Sequence, residues 1–87
     1  MADNKTYAVY ILECADGSYY TGYTTNVERR LKVHSDGKGA KYTRIRRPLS
    51  LIYEEWFDDK SEALKREHAI KKLSKRQKVE LVKGAKA

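Results

Sequence analysis

The sequence predicts a small α+β domain in which helices flank a three-stranded antiparallel sheet, in the order ββαβαα. Three observations lead to this fold class. Runs rich in aromatic and β-branched residues occupy positions 7–14, 19–24 and 49–57, and such runs favour strands. Asp16 and Gly17 join the first two runs, as in a β-hairpin. Helix start signals follow the second and third runs, so we expect the helices to cover the sheet.

The residues after the hairpin predict the first helix. Thr25 and Glu28 form a capping box, in which the hydroxyl and the carboxylate each satisfy a backbone N–H. The helix should run over about 26–35 and end at Gly37. The segment 38–47 is then predicted to be a basic loop.

Two more helices are expected after the third strand. Asp59 opens a helix over about 59–73, and a second capping box from Ser74 to Gln77 opens a short one that ends near Val82.

The chain has 87 residues, which predicts a single domain over 1–87, with a core of about 6–83 and frayed ends at 1–5 and 84–87. A domain of this size buries only about 60% of its unfolded surface, so any function must use this one core. The single cysteine, Cys14, excludes an internal disulfide and, lacking further ligands at metal spacing, a zinc knuckle or finger. A reducing cytoplasmic location fits best. No apolar run approaches the roughly 20 residues of a membrane span.

The formal net charge is +7, from 19 Lys+Arg and 12 Asp+Glu, and it is segregated along the chain. Residues 29–47 sum to +7 and residues 60–87 to +7, whereas residues 1–28 sum to −3 and residues 48–59 to −4. Basic blocks of this kind favour nucleic-acid binding, because Lys and Arg displace counterions from a phosphate backbone. A merely solvated basic surface explains the charge equally well. The residues of the first block that we expect to contact nucleic acid are Lys38, Lys41, Tyr42, Arg44, Arg46 and Arg47.

Glu67 is unusual for its place on the second helix. It falls inside the apolar stripe that Ala63, Leu64 and Ile70 define. A carboxylate among core positions is costly unless it is paired or binds a cation. The alternative is a Glu paired with an Arg, or one that reaches solvent at the edge of the stripe. His68 is expected to face solvent.

Arg30 and His34 are four residues apart on the first helix, so their side chains share a face. Together they offer a fixed cation and a titratable imidazole to a phosphate. The alternative is a solvated helix edge. Gly22 lies within a predicted strand, where glycine is unfavourable unless another group must approach the backbone.

These residues together resemble a known family. Ala8-Val9-Tyr10, Tyr20-Thr21-Gly22, Asn26, Arg30, His34 and Glu67 occur in the order and spacing of the GIY-YIG nuclease domain, over nearly the whole chain. The sequence departs from the family at Ala8, where glycine is usual. Residues 14–18 and 37–43 are similar to the small stand-alone bacterial members.

The resemblance implies a function and roles for these residues. It implies hydrolysis of nucleic-acid phosphodiester bonds with one Mg²⁺ or Mn²⁺ ion, which Glu67 would bind. Arg30 would stabilise the charge of the phosphate, and Tyr10 would be the general base if nearby positive charge depresses its pKa from about 10. Tyr20 and His34 would orient the water or the phosphate. Gly22 and Asn26 would be structural, with Gly22 giving close access to the backbone.

A shared site requires Tyr10 and Tyr20 on the same face of the sheet. Because side chains alternate along a strand, a two-residue turn that pairs 15 with 18 would place them on opposite faces. We therefore expect a loop of odd length that pairs 15 with 19, or a bulge.

Two other functions remain open from the sequence. The first is a non-catalytic nucleic-acid-binding module with the same fold. The second is an interaction domain that uses the strand at 49–57 as an exposed edge. The expected partner is nucleic acid, DNA or RNA with DNA favoured, and a protein partner or a second copy could supply targeting.

Overall fold

The structure, a computed structural model, describes residues 5–86. In that range the chain forms one antiparallel sheet with strand order β2-β1-β3, and helices follow in the order ββαβαα with one additional short helix. The predicted fold class is therefore confirmed. The elements are β1 (Tyr7–Glu13), β2 (Tyr19–Thr24), α1 (Val27–Ser35), α2 (Lys41–Arg44), β3 (Ser50–Phe57), α3 (Lys60–Lys71) and α4 (Lys75–Lys86). Among these described residues, no helix has the length and apolarity needed to cross a membrane. Of the ends expected to fray, residues 1–4 and 87 lie outside the described range.

The β1–β2 hairpin has the odd-length loop that a shared tyrosine site requires. Cys14 N–H donates to the Ser18 carbonyl at 2.8 Å, so three residues form the loop. The pairing thus joins 14 with 18, and the expected pairing of 15 with 19 is wrong in detail. The parity is nevertheless the required one, because Tyr10 lies opposite Gly22 and therefore on the same face as Tyr20.

The two faces of the sheet pack against different helices. Val9 and Ile11 point to one face, where they form the core with Ala63 and Ile70 of α3 and with Val82 of α4. The opposite face carries Tyr10 and is covered by α1 and α2. β1 is the central strand, so Tyr10 lies between the two outer strands β2 and β3.

The start of α1 differs from the predicted capping box. Asn26, not Thr25, is the N-cap, and its side chain accepts a hydrogen bond from the Arg29 N–H at 3.1 Å. The Thr24 hydroxyl accepts from the Asn26 N–H at 3.1 Å and so orients the cap. Asparagine caps a helix at least as well as threonine, which explains the shift. Asn26 therefore has the structural role expected of it.

The segment predicted as a basic loop contains a short helix, α2, so the loop prediction is wrong at Lys41–Arg44. The Thr43 hydroxyl donates to the Ala40 carbonyl at 3.0 Å and stabilises this turn. The sequence does not predict this helix, because a helix of four residues is too short to form without tertiary contacts.

The last two helices start as predicted and end elsewhere. Asp59 caps α3 by accepting from the Ser61 N–H at 3.1 Å, and Ser74 and Gln77 form the reciprocal capping box of α4. The helix α3 ends at Lys71, two residues before the predicted end, and α4 continues past Val82 to Lys86. Leu64, placed in the apolar stripe of α3 by the sequence, is 39% exposed.

Candidate active site

Tyr10 is at the centre of the site, on the face covered by α1 and α2. Its side chain is 2% exposed. The ring crosses directly over Gly22 of β2: a Cβ at position 22 would overlap the phenol oxygen and Cζ and would lie 2.9 Å from Cε2. The glycine is therefore required because the ring lies on the backbone of the outer strand, which agrees with the role expected for Gly22.

His34 lies beneath Tyr10 and is completely buried, so the alternative of a solvated helix edge is wrong for this residue. The Tyr10 hydroxyl is 3.0 Å from His34 Nε2. On the other side of the ring, Nδ1 is 2.7 Å from the Thr43 hydroxyl oxygen. A single imidazole therefore joins β1 to α2.

The directions of these hydrogen bonds follow from Thr43. Its one hydroxyl proton is donated to the Ala40 carbonyl, so its oxygen must accept from the N–H of His34 Nδ1. A neutral imidazole with the proton on Nδ1 has a lone pair on Nε2, which accepts the hydrogen bond from the Tyr10 O–H. The chain of donors thus runs from Tyr10 through His34 and Thr43 to the backbone.

Thr43 is a site residue that sequence reasoning missed. It is completely buried, and its only sequence signal is membership of the segment 37–43. Gly39 in that segment is also explained by His34, because a Cβ at position 39 would overlap Nδ1 and would lie 2.8 Å from Cε1.

The protonation states at rest are determined by burial. Burial lowers the pKa of His34 below its ordinary value of 6.5, and the positive charge of Arg30 lowers it further. Burial also raises the pKa of Tyr10 above 10.0, and this effect exceeds the opposing effect of a hydrogen bond from Arg30. The expectation that positive charge would depress the pKa of Tyr10 is therefore wrong, because burial has the larger effect.

Arg30 and Glu67 reach Tyr10 from opposite layers. Arg30 is on α1 and Glu67 is on α3, yet the charges of both act on the Tyr10 phenol. The Glu67 side chain is 19% exposed, and its Oε2 is 3.2 Å from Lys71 Nζ. The residue is thus partly buried, and its partner is Lys71 rather than the arginine of the alternative interpretation. His68, next to it, is exposed as expected.

Tyr20 connects the site to the basic segment. Its ring centroid is 5.3 Å from that of His34 in an edge-to-face arrangement and 6.1 Å from that of Tyr42 in a stacked one. The guanidinium of Arg46 lies 3.8 Å from the centroid of Tyr42. Tyr20 is therefore positioned next to both the imidazole and α2.

The basic segment divides into two groups of residues. Lys38, Lys41 and Arg44 are exposed. The guanidinium of Arg46 donates hydrogen bonds to Asp16 Oδ2 at 3.1 Å and to the Tyr42 carbonyl at 3.0 Å. The guanidinium of Arg47 donates to the carbonyls of Arg44 and Ser35. The last two arginines are thus structural links as well as positive charges.

Glu67 is a single carboxylate rather than part of a metal-binding cluster. Within residues 5–86, no group of three or more His, Cys, Asp or Glu side chains could hold a metal ion together. A site of one carboxylate suits Mg²⁺, which keeps several of its waters and binds substrate phosphates. It does not suit zinc, which requires three or four protein ligands.

Comparison with known proteins agrees with the resemblance drawn from the sequence. The model of the GIY-YIG catalytic domain matches residues 6–80. A UPF0213 protein of Staphylococcus saprophyticus is 55% identical over 85% of this chain and 90% of its own length. One of Halobacterium salinarum is 60% identical over 80% of this chain and 91% of its own.

Two structures determined in solution by NMR are similar to this fold. The UPF0213 protein BH0048 of Bacillus halodurans has 56% sequence identity and a TM-score of 0.59, covering 88% of this chain and 82% of that protein. The protein EF2693 of E. faecalis has 48% identity and a TM-score of 0.64, covering 97% of this chain and 90% of that protein.

Proposed function

Because this chain belongs to the GIY-YIG catalytic-domain family, we propose that it is a divalent-metal-dependent endonuclease that hydrolyses nucleic-acid phosphodiester bonds, with DNA the favoured substrate. The observation that carries the proposal is the position of the Tyr10 hydroxyl. It donates to His34 Nε2, and the charges of Arg30 and Glu67 both act on it. Metal-assisted phosphodiester hydrolysis uses a proton acceptor, a cation that stabilises the phosphate charge, and a ligand for the metal ion, all close to the reacting phosphate.

Glu67 is the residue that would hold the metal ion, Mg²⁺ or Mn²⁺. Its partly buried carboxylate is paired only with the flexible Lys71 among the described residues, so the ammonium can be displaced by a divalent cation. A bound ion would supply positive charge that polarises the phosphate and stabilises the departing oxygen. Lys71 would then be released toward the substrate.

Arg30 would bind the scissile phosphate. Its guanidinium presents several donors in a planar array, which suits the non-bridging oxygens of a phosphate. Since its positive charge also acts on the Tyr10 phenol, it would stabilise negative charge on either the phosphate or the phenol oxygen.

Tyr10 and His34 would remove the proton from the attacking water. At neutral pH the phenol is protonated and the imidazole neutral, because burial raises the pKa of the first and lowers the pKa of the second. The phenol oxygen would take a proton from water as its own proton passes to His34 Nε2 along the 3.0 Å hydrogen bond. The imidazolium formed keeps its Nδ1–H bond to Thr43.

A cleavage assay tests this proposal. Plasmid DNA, branched and single-stranded DNA and structured RNA are incubated with the protein in Mg²⁺ or in EDTA. We expect cleavage of at least one substrate in Mg²⁺ and none in EDTA. Arg30→Ala and Glu67→Gln should lower the rate about 100-fold or more.

The matched control is Glu62→Gln, which neutralises an exposed carboxylate on the same helix and should leave the rate unchanged. Cleavage that persists in EDTA, or in both site variants, would contradict the assignment. Salt-dependent binding without any cleavage would instead support the non-catalytic module.

A further inference from the structure

A cleft of about 360 Å³ opens beside Tyr20, on the side of the sheet where α3 and α4 pack. The proposed hydrolysis assigns no catalytic role to its two lysines. It adjoins a second hollow of about 370 Å³, with which it shares Tyr19, Tyr42 and Lys78. The residues that line the first cleft are Tyr19, Tyr20, Thr21, Tyr42, Lys71 and Lys78.

Two lysines face this cleft from neighbouring helices. Lys71 is the last residue of α3 and Lys78 is in the first turns of α4. Burial and the charge of Lys71 lower the pKa of Lys78 below its ordinary value of 10.5. Within the described part of the chain, Lys78 makes no ion pair, whereas Lys71 is paired with Glu67. Positive charges on two helices that line one cleft favour the binding of an anion there.

Thr21 supplies an independent observation at the same cleft. Its side chain is 3% exposed. Among residues 5–86, its Oγ1 is the one buried side-chain polar atom that has no hydrogen-bond partner. Buried hydroxyl groups are nearly always paired, so an unpaired one calls for a missing partner. An oxygen acceptor bound in the cleft would provide it.

We propose that this cleft binds a backbone phosphate of the nucleic-acid strand, adjacent to the scissile phosphate, through Lys71, Lys78 and the hydroxyl of Thr21. The inference rests on the proposed function, and it adds where the nucleic-acid strand binds next to the cleavage site. Lys71 links the two places, because its ammonium is 3.2 Å from the Glu67 carboxylate. A metal ion on Glu67 would free Lys71 to bind the neighbouring phosphate.

Binding measured without cleavage tests the subsite. A fluorescently labelled oligonucleotide is titrated in EDTA, and anisotropy is recorded over a range of salt concentrations. We expect Lys78→Gln to weaken binding about fivefold at low salt and to reduce the slope of log K against log salt by about 0.7–0.9. The control Lys65→Gln removes an exposed charge that lines a different hollow, and it should leave the slope unchanged.

Thr21→Val separates a ligand role from a structural one. Removing an unpaired hydroxyl while keeping the shape should leave the thermal unfolding midpoint unchanged or raise it, yet oligonucleotide binding should weaken about threefold. The subsite would be overturned if both Lys78→Gln and Thr21→Val bound the oligonucleotide with the wild-type affinity and the wild-type salt dependence, even if the protein cleaves DNA in Mg²⁺. Conversely, weakened binding in these variants of a protein that never cleaves would support the subsite and overturn the nuclease.

The source of the phosphate is distinguished by NMR. Signals of Lys78 and Thr21 are followed during titration with the oligonucleotide and, separately, with inorganic phosphate. We expect both signals to saturate at an oligonucleotide concentration at least tenfold lower than the phosphate concentration that saturates them. Equal concentrations for the two ligands would overturn the strand proposal and identify a free-phosphate site.

Discussion

At the scale of the residue, the hydroxyl of Thr43 determines which nitrogen of His34 carries the proton. Its own proton is donated to the Ala40 carbonyl, so it can only accept from His34 Nδ1. This leaves Nε2 as the acceptor for Tyr10. The Thr43 hydroxyl hydrogen bonds to His34 and to the backbone, so it acts through the imidazole as a positioning residue.

Replacing Thr43 by valine should therefore change the tautomer of His34 as well as the rate of cleavage. The variant keeps the shape of the side chain but leaves the Nδ1–H without its acceptor. We expect the cleavage rate to fall about tenfold and the neutral tautomer with the proton on Nε2 to become populated. The imidazole ¹⁵N chemical shifts report the tautomer directly.

Thr43→Ser is the matched control, since it restores the hydroxyl and should restore both the rate and the ¹⁵N shifts. A loss of activity in Thr43→Val with unchanged imidazole shifts would contradict the positioning role. It would point instead to a general loss of packing around α2.

The resemblance to the GIY-YIG family implies that Tyr10, Arg30, His34 and Glu67 share one site. In the fold, the Tyr10 hydroxyl is hydrogen bonded to His34, and the charges of Arg30 and Glu67 act on the Tyr10 phenol. These residues can be recognised in the sequence because their side chains are ionisable or charged, and such side chains are the usual candidates for catalysis and metal binding. The pKa of Tyr10 was not predictable, because its direction depends on burial exceeding the effect of one nearby arginine. Thr43 was missed for a similar reason. A threonine is not recognisable as a site residue until its hydrogen-bond partners are known, and these come from the fold.

At the scale of the element, the outer strand β2 depends on glycine at the point where it passes beneath Tyr10. Gly22→Ala would add a Cβ that overlaps the phenol ring. The ring cannot move away easily, since it is 2% exposed and hydrogen bonded to His34. We expect the free energy of unfolding to fall by about 1–3 kcal/mol, as measured by urea denaturation.

Gly84→Ala provides the matched control for that substitution. Gly84 lies in α4, and a Cβ there would have no heavy atom within 4 Å. Alanine is the better helix former, so this variant should be stabilised by up to about 1 kcal/mol. Equal effects of the two substitutions would show that the close contact with Tyr10 does not determine the cost at position 22.

The elements that the sequence predicted well are those with local signals. The strands, the cap at Asp59 and the capping box of α4 depend on residues close in sequence. The segment 38–47 was harder, because α2 is held by tertiary contacts. Arg46 bonds to Asp16, which is distant in sequence, and Arg47 bonds to the end of α1. Phosphate binding by this segment stays a prediction, and the structure adds that Arg46 and Arg47 also link parts of the chain.

At the scale of the whole molecule, the site exists only when both helical layers are docked on the sheet. Arg30 and His34 come from the layer on one face and Glu67 from the layer on the other. All three influence Tyr10 on the central strand β1. Global unfolding therefore removes the site, and a group buried in the site contributes to the free energy of unfolding of the domain.

His34 should make that stability depend on pH. Burial and Arg30 hold its folded pKa below the ordinary 6.5, so the unfolded chain binds a proton at a higher pH than the folded one. Since stability rises with pH wherever the unfolded state binds more protons, the contribution of His34 is complete above about pH 6.5 and is lost as the pH falls through its folded pKa.

Urea denaturation followed at a series of pH values from 8 downward should therefore show a decreasing free energy of unfolding in this window. His34→Gln should flatten the decrease, and His68→Gln, which removes the exposed histidine, should leave it as in the wild type. If His34→Gln retained the wild-type dependence, the buried imidazole would not be the group that titrates.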